Sequence, residues 1–184
     1  HLILTLLAGA PPGRISFSII DPVGLGENFS SIMHLADYEN NLINDRIWTQ
    51  TEQIDQRLEE LNEHMEKVIQ MYLRNEYETI AEYNQQAGTI AEKYHFLVVA
   101  DFPTNFSDVA AKRLLSIAAS GARCGVYTLI HWDTRRALPQ DFVVSEFRKS
   151  STCITCDSDG FTLSNYAPPG TYLDLDSPPG PDTF

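Results

Sequence analysis

No stretch of about 18 consecutive apolar residues occurs in these 184 residues, so none of the sequence reads as a membrane-spanning helix. Basic residues are scarce: 13 Lys and Arg face 25 Asp and Glu, a formal charge of -12. Duplex binding is driven largely by Lys and Arg meeting phosphates, so this balance excludes a broad nucleic-acid surface. A local basic cluster remains, because Lys112, Arg113, Arg123, Arg135 and Arg136 fall in one region. Cysteine is rare and odd in number (Cys124, Cys153 and Cys156), which fits reduced thiols in a cytoplasmic protein. Cys153 and Cys156 have CxxC spacing, but no second ligand pair follows as a zinc site requires. They are expected to be strand or core residues. The sequence contains no HExxH, no GxSxG, no GxxxxGK[ST] and no internal repeat. Its start, His1 to Ala8, is apolar but short, without a basic leader or cleavage site, and reads as the tail of a helix in a fragment.

What is present is an alternation of strands and helices. The first helix closes at Gly9 and the Pro11-Pro12-Gly13 turn. Ile15 to Asp21 reads as a strand cut off by Pro22, and Val23-Gly24-Leu25-Gly26 as a turn. Thr49-Gln50-Thr51-Glu52 has capping-box spacing ahead of a long helix. Ile54, Leu58, Leu61, Met65, Val68 and Tyr72 recur on one helical stripe, while Gln56, Glu59, Glu60, Glu63 and Glu66 fall off it and should face water. A second helix runs from Glu76 to Gln86, ending near Gly88. After a strand at Phe96 to Ala100, Asn105 or Ser107 can cap a helix through Ser120, with Gly121 as its stop. Val126 to Ile130 is a further buried strand. Ser151 to Cys156 and Phe161 to Ser164 flank the hairpin turn Asp157-Ser158-Asp159-Gly160. The segment 167–184, with five prolines and two glycines, reads as an extended tail. The order predicts an α/β fold: a mostly parallel sheet with helices on both faces, then a C-terminal β-hairpin.

Within that pattern Phe96-Leu97-Val98-Val99-Ala100 is a continuous apolar run ending in Asp101. Such a run reads as a strand buried on both faces. A carboxylate at its carboxyl end sits where open α/β sheets bind ligands. In nucleotide hydrolases the acid in this slot serves Mg²⁺.

Four stretches together resemble the motor domains of the FtsK/SpoIIIE family of P-loop ATPases. Ile19-Ile20-Asp21-Pro22 is similar to the family's "IDPK" strand end. Met65-Glu66-Lys67-Val68 through Ile80-Ala81-Glu82-Tyr83-Asn84 is similar to its "MERRY…I..YN" segment. Phe96 to Phe102 resembles the Walker B strand, and Ser120-Gly121-Ala122-Arg123-Cys124-Gly125-Val126-Tyr127 the "GR..GIH" approach to the sensor strand. The order and spacing agree over roughly Ile3 to Leu138. The resemblance implies a RecA-like P-loop NTPase core at 1–166 lacking its N-terminal phosphate loop, followed by a Pro-rich tail at 167–184. It implies ATP and Mg²⁺ as cofactors of the parent, a homo-oligomer (a hexameric ring in relatives), and DNA or protein as cargo. Any membrane association would lie outside this stretch.

The chain also departs from the pattern. No phosphate loop is present, so its grip on β- and γ-phosphates is missing from this stretch. One alignment places Asp101 on the Mg²⁺-binding Asp and Phe102 on the catalytic Glu; the other puts Ala100 on the Asp and Asp101 on the Glu. The sensor "TQRP" is here Trp132-Asp133-Thr134-Arg135, and Val23 stands where relatives often carry Lys. Asp101 is thus the candidate catalytic and metal residue. Asp21 and Asp133 are candidates around the phosphates, and Arg123 is a candidate finger across a subunit boundary. Three readings follow: a fragment of a translocating ATPase, a degenerate module kept for assembly or partner binding, or an unrelated α/β enzyme with its pocket away from Asp101.

Overall fold

A computed structural model describes residues 2–39, 42–43, 46–74, 76–158, 160–164, 168 and 171–174. In chain order the elements are α1 (Leu2–Gly9), β1 (Ile15–Ile20), α2 (Ser30–Met33), α3 (Thr51–Val68), α4 (Ile80–Ala87), β2 (Tyr94–Phe102), α5 (Asp108–Ser120), β3 (Val126–Trp132), α6 (Val144–Lys149), β4 (Cys153–Asp157), β5 (Gly160–Ser164) and β6 (Tyr172–Leu173). They group into two compact units, one of residues 11–143 and one of 1–10 with 144–184.

The larger unit is built on a parallel sheet of order β1-β2-β3. Ile15 to Ile20 stand opposite Tyr94 to Val99, and His95 to Val99 opposite Val126 to Ile130. The outer edge of β1 is guarded by a passing segment: the Phe17 N–H donates to the Leu42 carbonyl (2.7 Å) and the Trp48 N–H to the Ile19 carbonyl (2.9 Å). Among the described residues β3 has a sheet neighbour on one side only.

The side-chain period of two divides the sheet into two faces. Ile20, Leu97, Val99 and Val126 turn toward α3 and α5 and form one core with Ile54, Leu58, Leu61, Met65, Val68, Leu114 and Ile117. Of the expected stripe, Ile54, Leu58, Leu61, Met65 and Val68 are buried, while Tyr72 is half-buried and Leu73 beside it takes the buried place; Gln56, Glu59, Glu60, Glu63 and Glu66 are exposed. Each fully buried aliphatic side chain contributes about 1.5–3 kcal/mol, so α3 is held by its stripe rather than by propensity. The opposite face carries an aromatic row across all three strands, Phe17 stacked on Phe96 (5.4 Å between centroids) and Phe96 on Tyr127 (5.5 Å).

Helix boundaries follow local chemistry. The capping box does not form: Gln50 is the N-cap and its side chain makes no cap bond. Thr51 is already helical, and a Gln side chain is too long to fold back onto its own first turn. Past Val68 the helix widens into a π turn, Ile69–Leu73, which carries Tyr72, and stops at the left-handed Arg74 (φ 30°). Ser107 caps α5, its hydroxyl accepting the Ala110 N–H. The left-handed stop lies at Gly125 (φ 78°), beyond a 3-10 turn, not at Gly121. A Cβ at Gly125 would sit 2.9 Å from Ile80 Cγ2, so both space and backbone call for glycine there.

Asn84, within α4, makes a two-way clamp, accepting the Glu92 N–H (2.8 Å) and donating to the Glu92 carbonyl (2.9 Å). This sets the start of β2. The "YN" motif therefore positions the central strand.

In the smaller unit β4, β5 and β6 form an antiparallel sheet. The hairpin is where the sequence placed it, while Tyr172–Leu173 of the expected tail is a third strand. The expected boundary at 166/167, and the tail beyond Asp174, lie outside the described residues.

Candidate functional site at the carboxyl edge of the parallel sheet

β2 ends irregularly. Its register with β3 shifts between Val99 and Phe102, and Asp101 adopts a left-handed backbone (φ 53°). Non-glycine residues in that region cost of order 1–3 kcal/mol and collect at functional sites. The turn is closed by the Thr104 N–H donating to the Asp101 carbonyl (2.9 Å), and the Phe102–Pro103 peptide is cis. Asp133, just past β3, donates its N–H to the Phe102 carbonyl (2.9 Å), locking the two strand ends together.

The side chains at this edge are paired. His131 Nδ1 lies 3.2 Å from Asp101 Oδ1 and 3.4 Å from the Asp101 amide nitrogen. Protonated, Nδ1 donates to the carboxylate; unprotonated, it accepts the amide N–H. Asp133 Oδ1 accepts from Arg135 Nε (2.8 Å) and from the Arg135 N–H (3.1 Å), while Oδ2 accepts from Arg135 Nη2 (3.1 Å). Arg136 Nε stands 3.4 Å from Oδ2. The side-chain bond from Arg135, reinforced by its backbone amide, holds the Asp133 carboxyl down at about 2. The same bond raises Arg135, and the Asp101 charge adds to that shift.

Asp21, at the end of β1, is fully buried. Its carboxylate accepts the N–H of Gly24 (2.9 Å), the N–H of Gly26 (3.2 Å) and the Asn28 amide (3.2 Å to Oδ2). A Cβ at Gly24 would collide with Asn28 and with Asp21 Oδ2. Asp21 is thus spent on shaping the loop beside the site. Arg123 lies at the other end of the sheet, before β3, donating from Nε to the Glu78 carbonyl (2.8 Å). A seven-residue strand at ~3.3 Å per residue puts it on the order of 20 Å from Asp133. Of the four sequence candidates, Asp101 and Asp133 come together, Asp21 borders them, and Arg123 is remote within one chain.

Sequence reading gave no role to His131, and it named Arg135 only within a local basic cluster and as the end of the altered sensor stretch Trp132-Asp133-Thr134-Arg135. The signal for both was their place two residues before and two residues after Asp133 at a strand end. It also missed a buried polar group at the amino half of the sheet. His95 bridges Ser16 Oγ and Ser18 Oγ, 2.8 Å on each ring nitrogen, and Arg57 Nε donates to Ser18 Oγ (2.9 Å). Burial, with Arg57 and His64 as neighbours, lowers His95 to about 3. The open apolar cleft of about 280 Å³ lined by Tyr94, Phe96 and Tyr127 lies at that amino half too, away from the carboxylates.

The residues present suit Mg²⁺ in part. Asp101 offers a hard carboxylate oxygen, and Mg²⁺ is held by one or two carboxylates with waters and phosphates. Thr104 Oγ1, in the turn after Asp101, is buried without a hydrogen-bond partner among the described residues. Among the described residues no three His, Cys, Asp or Glu side chains form a metal cage. Cys153 and Cys156, three apart on β4, point to opposite faces and make no joint site. The triphosphate cradle is not in this sequence.

The FtsK/SpoIIIE family model matches residues 1–147. Three solved structures share the fold. EssC (ATPases 2 and 3) from Geobacillus thermodenitrificans has a TM-score of 0.57 at 14% identity, covering 81% of this chain and 27% of that one. The cytoplasmic domain of EssC gives 0.59 at 13%, covering 81% and 27%. The cytoplasmic domain of the Thermomonospora curvata Type VII Secretion ATPase EccC gives 0.58 at 14%, covering 82% and 18%. The chain thus spans under a third of each of these structures. No curated protein matches it. No helix among the described residues is long and apolar enough to cross a membrane.

Proposed function

The chain belongs to the FtsK/SpoIIIE family, and from that premise we propose that it is the acid-bearing part of a motor ATPase that couples ATP binding and hydrolysis to movement of a polymer. The observation that carries this is Asp101, a carboxylate on a left-handed residue at the carboxyl end of the central parallel strand. Asp101 serves as the metal-side and catalytic carboxylate, and His131 holds it in place. When bound, Mg²⁺ would neutralise charge on the transferring phosphoryl group. Asp21 acts through the Pro22–Gly26 loop it pins, and Asp133 through its arginines. Arg123 can meet a phosphate only across a subunit boundary, as in an oligomeric ring. On this reading the phosphate loop is supplied by polypeptide other than these 184 residues, and the edge of β3 that has no sheet neighbour among the described residues is the place where its strand would add. The charge of -12 favours a polypeptide over duplex DNA as the surface these residues face.

A second reading, a degenerate module kept for assembly, has one observation in its favour. The residue after Asp101 is the fully buried Phe102, which cannot orient an attacking water. ATP turnover by the full-length protein decides between the two. Under the first reading Asp101→Ala lowers turnover at least about 100-fold, the upper end of what outer-shell metal partners alone cost. A wild-type protein with no turnover supports the second. Unchanged turnover in the variant removes Asp101 from the site.

A further inference from the structure

Resting on the reading of the carboxyl edge as the nucleotide site, we propose that Arg135 is its phosphate-contacting residue, presented by Asp133. Asp133 is tied by its own N–H to the end of β2, and its side chain is only 12% exposed. Arg135, two residues on, is 87% exposed. Surface ion pairs are usually loose and worth little, except where an arginine grips a carboxylate through two parallel bonds. Here the grip is two side-chain bonds plus the Arg135 N–H on the same carboxylate. Arg136 supports that carboxylate from a second direction. The guanidinium is therefore fixed at the sheet edge with Nε and Nη2 engaged, and no described residue bonds Nη1. A planar, permanently charged donor held in this way suits a phosphoryl oxygen. Asp101 and Arg135 then divide the work by charge, the carboxylate facing the metal ion and the guanidinium the phosphate. Asp133 is a positioning residue, since its oxygens are taken up by the two arginines.

The test is equilibrium binding of ATP to the full-length protein, with Mg²⁺ and with EDTA, alongside inorganic triphosphate. Arg135→Gln is expected to raise Kd about tenfold for all three probes, because it removes a phosphate contact independent of the metal (about 1.4 kcal/mol). Asp133→Asn should weaken binding in the same pattern, and the double variant should be no weaker than Arg135→Gln alone. Arg135→Lys should restore binding only in part, a point charge lacking the fork. Unfolding midpoints should match wild type, since Arg135 stands in solvent. Asp101→Asn separates the two claims, as it should weaken only the Mg²⁺-dependent binding. If Arg135→Gln binds all three probes like wild type while Asp101→Asn loses Mg²⁺·ATP, the arginine assignment falls and the site reading stands. If Arg135→Gln weakens binding and Asp101→Asn does not, the metal role of Asp101 falls and the arginine remains. A wild-type protein that binds none of the probes overturns both.

Discussion

His95 shows how a single residue links burial to pH. Both ring nitrogens bridge serines of β1, so the neutral ring is used as a hydrogen-bond strut within a buried polar group. The groups facing it are Ser16 and Ser18 from β1 and Arg57 and His64 from α3, with Glu92 beyond His64. Its folded value, about 3, lies below the ordinary 6.5, so between them the unfolded chain binds the extra proton. Stability contributed by neutral His95 is complete above pH 6.5 and is lost as pH falls toward 3. The slope approaches about 1.4 kcal/mol per pH unit for one proton. Urea unfolding between pH 7 and pH 4 should show this decline. His95→Ala should flatten it and cost about 1–3 kcal/mol at pH 7, because the hydroxyls of Ser16 and Ser18 each lose their bond to the ring while Ser18 keeps the one from Arg57. The role was hidden in the sequence because Ser16, Ser18 and His95 are joined only by strand register. Asp101 was legible for the opposite reason: an acid directly after an apolar run needs no partner to be noticed. The turn reading of Val23-Gly24-Leu25-Gly26 also rested on local chemistry, and the Gly24 and Gly26 N–H groups donate to Asp21 there.

At the scale of elements, periodicity carried most of the information. The 18-residue α3 buries Ile54, Leu58, Leu61, Met65 and Val68, the residues that a stripe recurring every three or four positions selects. Leu58→Ala should cost about 2–5 kcal/mol in chemical denaturation by opening a cavity against the sheet. Glu63→Ala, on the wet face, should stay within about 0.5 kcal/mol. A reversed order of effects would mean that the helix packs by another face. What periodicity did not give was the ends. The first cap was misplaced because a hydroxyl at capping spacing says nothing about where the backbone turns helical. α5 does end at Ser120 with Gly121 as its cap, but Gly121 keeps a helical φ and the left-handed turn comes only at Gly125, after a 3-10 turn. The short strand at Tyr172–Leu173 was invisible because two residues carry no period.

For the whole molecule, α/β class and parallel order were readable from alternating strands and helices, and the family from four short stretches in sequence. The chemistry was less readable, because it depends on which strand ends meet. Adjacent parallel strands bring Asp101, His131, Asp133 and Arg135 to one edge and leave Arg123 at the other. The central claim is that this edge receives the metal–phosphate end of a nucleotide. A crystal structure of the full-length protein with Mg²⁺ and a non-hydrolysable ATP analogue measures it directly. The expected result places the metal ion within a water-bridged distance of Asp101, about 4 Å or less, with a phosphate oxygen on Arg135. A nucleotide bound at the amino end of the sheet beside Arg123, with the Asp101–His131 pair untouched, would contradict it.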